Sequence, residues 1–119
     1  MLLLNPKEAA VWKTHEESGA SFLILPADSE AQNDMEARAK KALAEKGGEF
    51  FSHLARIVAA ERIQDWKGVG NSFGALPCTP EARESLARAH ENTIMPWLIR
   101  EVRSLGNFIA EEETAAKNV

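Results

Sequence analysis

The chain has 119 residues, of which 45% are hydrophobic and 27% charged, enough for one domain with one packed core and too apolar for disorder throughout. With 14 Lys and Arg against 18 Asp and Glu, the net charge is -4 and the pI about 5.4. That balance repels phosphate backbones and anionic lipid headgroups, which argues against nucleic acid and membrane as partners.

Residues 1–26 differ from everything after them. Leu2-Leu3-Leu4 is apolar but ends at Asn5-Pro6, short of the roughly 7–15 residues of a signal-peptide core. Ala20 to Leu25 is a short apolar run closed by Pro26 and preceded by the turn-like Glu17-Ser18-Gly19, which predicts a strand. Residues 9–15 offer an antiparallel partner, with Val11 on one face and Trp12 on the other. Asn5-Pro6-Lys7-Glu8 has the order of a helix cap followed by proline, so a short helix over 5–15 stays open beside the favoured hairpin of about 9–26. A hairpin alone is marginal in water; it must pack on helices or gain a strand from another copy, and its free edge invites self-association.

The helical part covers about 29–110. Ser29 to Lys46 is rich in strong helix formers, with Met35, Ala39, Ala42 and Leu43 as a thin apolar stripe, and Gly47-Gly48 ends it. From Glu49 to Gln64, Phe50, Leu54, Ile57 and Val58 share one helical face, with Phe51 beside them, which predicts a central helix. That helix is expected to run on into Trp66, where Gly68, Gly70 and Gly74 permit a tight reversal and Thr79-Pro80 opens another helix ending near His90. Trp66, Gly68, Gly74, Pro77, Thr79 and Pro80 thus read as a structural corner, the ring folding back over the bundle. Asn92-Thr93 is a further cap. The last helix, about Ile94 to Glu112, carries Ile94, Leu98, Val102, Leu105 and Ile109 on one face, with Trp97 and Phe108 beside it. Gly106-Asn107 is expected to bend or end it early, and residues 111–119 form a polar tail with a disordered end. The fold class is therefore mainly α (α+β), a bundle of about four helices with an N-terminal β-hairpin in one domain, 1–119.

Little in the residues suggests chemistry. His15, His53 and His90 lack metal-ligand spacing, and Cys78 is the single cysteine, which permits no internal disulfide and points to the cytoplasm. The glycines at 68, 70 and 74 complete neither phosphate-loop pattern. No catalytic, cofactor-binding or metal-binding residue is expected, and no cofactor. Phe22, Ile24, Trp97 and Phe108 are the candidate protein-interaction residues.

The order Trp66-Lys67-Gly68-Val69, then Gly74, then Leu76-Pro77-Cys78-Thr79-Pro80-Glu81 resembles the corner of the tail assembly chaperones of long-tailed bacteriophages and prophages. The short β segment Ser18 to Leu23 followed by an alanine-rich charged helix is similar too, so the likeness spans roughly residues 9–109. The turn departs from that pattern: Gly70-Asn71-Ser72-Phe73-Gly74 stands where an acidic residue and Asp-Gly are frequent. The resemblance implies a non-enzymatic helper in the bacterial host cytoplasm that coats the tape measure protein, recruits major tail protein and forms a homo-oligomer. It also implies that a frameshifted, longer form can accompany the short one. On this reading the hairpin edge and the Ser29 to Lys46 helix serve self-assembly, and the Trp97/Phe108 side serves the client. A small prophage-encoded adaptor or inhibitor of a host protein is the alternative.

Overall fold

The structure, a computed structural model, describes residues 9–117, with side chains for residues 9–107. It is α+β: four helices, and an N-terminal hairpin completed into a three-stranded antiparallel sheet by a strand from mid-chain. The hairpin is β1, Val11–Thr14, and β2, Ser21–Ile24, with Trp12 opposite Leu23 and Lys13 opposite Phe22. Strand takes the place of the competing helix from Val11 onward, while Leu2 to Leu4 and Asn5 to Glu8 lie outside the described residues.

Helix α1, Ser29–Lys46, is capped by the Asp28 carboxylate, which accepts from Ala31 N–H, and stops at Gly47. Its buried stripe is as thin as the composition predicts, Met35 and Ala39. Helix α2, Phe50–Arg62, buries Leu54, Ala55, Val58 and Ala59 and packs against α1 and both later helices. Two alanines in that stripe let neighbouring backbones approach closely. Ion pairs clamp α1 across the bundle: Arg38 grips both carboxylate oxygens of Glu61 on α2, and Arg103 on the last helix meets Glu36 at 2.7 Å.

Hydrogen bonding to Arg38 holds the Glu61 carboxyl below its ordinary range. A depressed carboxylate stabilises the fold above its unfolded pKa, and that contribution disappears as pH falls through the folded value. Both side chains are about 40% exposed (42% and 38%), so solvent screening keeps the effect below about 1 kcal/mol. Glu61→Gln should therefore lower the urea midpoint slightly at neutral pH, with the gap from wild type closing below about pH 4. A gap that persisted under acid would assign the loss to packing.

Contrary to expectation, α2 does not run into Trp66. It ends at Arg62, and Ile63–Lys67 forms β3, antiparallel to β2, with Phe22 opposite Trp66 and Ile24 opposite Ile63. The cause is tertiary: the second edge of β2 needs a ladder, and Ile63 and Trp66 turn inward while Gln64, Asp65 and Lys67 stay exposed. The hairpin thus gains its third strand from its own chain, and the edge expected to recruit another copy on that side is filled. Phe22 and Ile24, proposed as interaction residues, are 0% exposed; they are core, not surface.

After β3 the chain makes a small hairpin, β4 Gly70–Asn71 with β5 Gly74–Ala75. Helix α3, Pro80–Ala89, follows, with Thr79 accepting from Ala82 N–H as its cap. The final helix, α4, runs Ile94–Lys117. Met95, Leu98 and Val102 on it are fully buried, and at about 1.5–3 kcal/mol for each large apolar side chain this packing, not propensity, secures the helix. Two expectations fail here. Gly106-Asn107 does not end α4; Gly106 is where the helix lies against Ala27: the Ala27 N–H reaches the Val102 carbonyl at 3.2 Å, and a Cβ on Gly106 would collide with the Ala27 carbonyl. The helix also runs past its expected end near Glu112 to Lys117, where Glu113, Ala115, Ala116 and Lys117 are good helix formers on either side of Thr114. Residues 118–119 lie outside the described residues. Among the described residues no helix is long and apolar enough to cross a membrane.

Candidate protein-interaction cleft

The corner residues form one closed unit, though its first member is a strand residue. Trp66 is 6% exposed, its indole N–H donates to the Leu76 carbonyl at 2.8 Å, and its ring meets Phe22 edge-on at 6.4 Å. Gly68 takes φ 77°, which a side chain would resist, and lies against the Ala20 backbone. The Leu76 N–H returns to the Val69 carbonyl at 3.0 Å, closing the small hairpin of which Gly74 is part. Pro77 accepts from Thr79 N–H, Thr79 caps α3, and Pro80 occupies its first turn.

Beside this unit is an open cleft of about 370 Å³ between the β1–β2 turn, the Gly68–Gly70 segment and the α3–α4 junction. Its floor is Ala20, Val69, Leu86 and Ile94, with Phe22 beneath; Phe22 borders the space yet has no exposed surface, so contact with a ligand falls to the other four. His15, Glu17, Ser18, His90 and Thr93 make the polar rim. Each rim imidazole is tied locally: His15 Nδ1 shares a 2.8 Å hydrogen bond with Ser18, and His90 Nδ1 one of 3.2 Å with Thr93. His15 also meets the Trp97 ring edge-on at 5.1 Å. A second, more polar trough of about 510 Å³ continues from His15, Glu17 and Thr93 to Lys13, Trp97, Arg100 and Glu101. The arrangement can seat an apolar side chain with charged groups alongside.

Of the predicted interaction residues with described side chains, Trp97 alone reaches this surface; Phe22 supports it from below and Ile24 is elsewhere in the core, while the Phe108 side chain lies outside the described residues. His15 and His90 were not singled out by spacing, and only the fold brings two residues so distant in sequence to one rim. Cys78 does not line the cleft; its sulfur is 3.7 Å from Arg83 Nη1. His53 is occupied with the Gly47 carbonyl. Among the described residues no three His, Cys, Asp or Glu side chains are grouped to hold a metal ion. Comparison with protein-family models, curated proteins and solved structures finds no match.

Proposed function

We propose that this protein is a non-enzymatic phage or prophage tail assembly chaperone that binds the tape measure protein and assists tail tube assembly with the major tail protein. The observation that carries the reading is the corner: the residues of the resemblance, Trp66 to Val69 and Leu76 to Glu81, are the ones joined by the indole, hairpin and cap hydrogen bonds. These contacts give the corner a structural role, as the resemblance implies, and the mode of action that the resemblance implies is surface binding in the bacterial cytoplasm. The cleft and its polar extension supply a surface suited to a helical client, apolar at one end and charged of both signs at the other. Trp97 and the four floor residues then contact the client, and no cofactor takes part.

Co-expression with fragments of a tape measure protein encoded beside this chain tests the reading. The expected result is co-purification and a higher soluble fraction of the fragment, both reduced by Trp97→Ala. Neither effect, together with a strictly monomeric protein that captures a folded host protein, would favour the adaptor or inhibitor instead.

A further inference from the structure

The β1–β2 turn is closed by its backbone: His15 N–H donates to the Ala20 carbonyl and Gly19 N–H to the His15 carbonyl, both at 2.8 Å, with Gly19 at φ 76°. Inside the turn His15 Nδ1 has two neighbours, the Ser18 hydroxyl at 2.8 Å and the Ser18 backbone N–H at 3.3 Å. A hydroxyl can give or take a proton, but a backbone N–H can only donate. That amide therefore assigns the ring. Nδ1 is the acceptor, the proton of the neutral imidazole sits on Nε2, and the hydroxyl donates to Nδ1 while it accepts from Ala20 N–H at 3.2 Å. The Ser18 N–H, the Ser18 hydroxyl and, through it, the Ala20 N–H all end on one unprotonated nitrogen.

We propose that His15 is a proton-sensitive latch on the rim of the cleft: proton uptake at Nδ1 removes the acceptor, releases the Ser18 N–H and loosens the turn. Histidine is the side chain suited to this, changing charge between about pH 5 and 8. With Nε2 already protonated, Nδ1 is the only site left on the ring. The new N–H then points at the Ser18 N–H, donor against donor, and the hydroxyl must turn to the His15 carbonyl, 3.4 Å away. The surroundings do not exclude the charge. Glu16 and Glu17 on the turn and Glu101 on α4 line the trough beside His15 together with Lys13 on β1 and Arg100 on α4, and His90 stands on the cleft rim. Carboxylates outnumber the fixed cations there, so what the proton undoes is hydrogen bonding and not charge balance. The effect reaches the binding surface, because the turn supplies His15, Glu17 and Ser18 to the rim and the His15 ring meets Trp97 at 5.1 Å. The rim is held while His15 is neutral and opens as pH falls.

This inference does not depend on the chaperone reading; a chain indifferent to tape measure fragments would leave it standing. Nitrogen-15 NMR of the imidazole at about pH 8, where a histidine is neutral, should show His15 as the Nε2–H tautomer. On lowering the pH to about 5 the protection factor of the Ser18 amide should fall roughly threefold to tenfold, as for one lost hydrogen bond, and the Trp97 indole resonance should shift with it. His15→Asn places an amide oxygen where Nδ1 stands and takes up no proton, so its Ser18 amide should keep the same protection throughout. His90→Asn should respond like wild type. An Nδ1–H tautomer at the upper pH would overturn the proposal, as would Ser18 protection that ignores pH or falls equally in His15→Asn. A response abolished by His90→Asn would overturn it too, by moving the latch to the other side of the cleft.

Discussion

Gly106→Ala is expected to destabilise the protein by about 2 kcal/mol or more, although alanine is the better helix former by about 1 kcal/mol. The opposing term is larger. A methyl at this position would strike the Ala27 carbonyl, with the Ala27 nitrogen only 3.1 Å away; both are backbone atoms that cannot swing aside as a side chain would. Overpacking a close contact costs about 1–3 kcal/mol even when side chains absorb it. Relief by moving α4 outward would also break the bond from Ala27 N–H to Val102 and loosen Gln32, whose amide donates to the Ala27 carbonyl and to Asn107. Urea unfolding of Gly106→Ala beside Ser104→Ala, an exposed position on the same helix, separates the terms. The second variant should be neutral or slightly stabilising. Equal stability of the two would show that α4 and the Ala27 segment can part without cost.

Trp66→Ala is expected to cost more, about 3–5 kcal/mol for the cavity alone, a large share of the 5–15 kcal/mol typical of a domain. The indole fills space against Phe22 and supplies the donor that ties β3 to Leu76. Trp66→Phe isolates the second effect: most of the ring remains, and the Leu76 carbonyl loses its partner, a loss of about 1–3 kcal/mol. Amide exchange should then rise first across Val69–Leu76, where the Leu76 N–H to Val69 bond closes the small hairpin. If Trp66→Phe exchanged like wild type, the indole bond would not be what holds the corner.

The helices were legible in the sequence where local rules act alone. The bounds of α1 follow from the composition of Ser29 to Lys46 and from Gly47, and the start of α3 from Thr79-Pro80. The hairpin was legible from the Ala20 to Leu25 run and the turn at Glu17-Ser18-Gly19. The third strand was not, because Ile63 continues the apolar spacing of α2 and only the unfilled side of β2 turns the segment into β structure. Gly106 was read as a breaker because sequence shows a missing side chain but not the Ala27 carbonyl that requires it to be missing. At the candidate site, Trp97 was identified from its place beside an apolar stripe, whereas His15 and His90 carry no pattern at all. Phe22 and Ile24 read as surface residues because a hairpin by itself leaves one face uncovered; the helices that share their core cluster cover that face, with Trp97 against Phe22.

The partner that β2 acquires lies beyond two whole helices in the chain, so during synthesis the hairpin leaves the ribosome long before Ile63–Lys67 does. The α1–α2 pair, adjacent in sequence, closes its loop at little entropic cost and is expected to form first. Until the later strand and α4 arrive, Phe22 and Ile24 lack surfaces that bury them in the finished fold, and the nascent chain is expected to expose both.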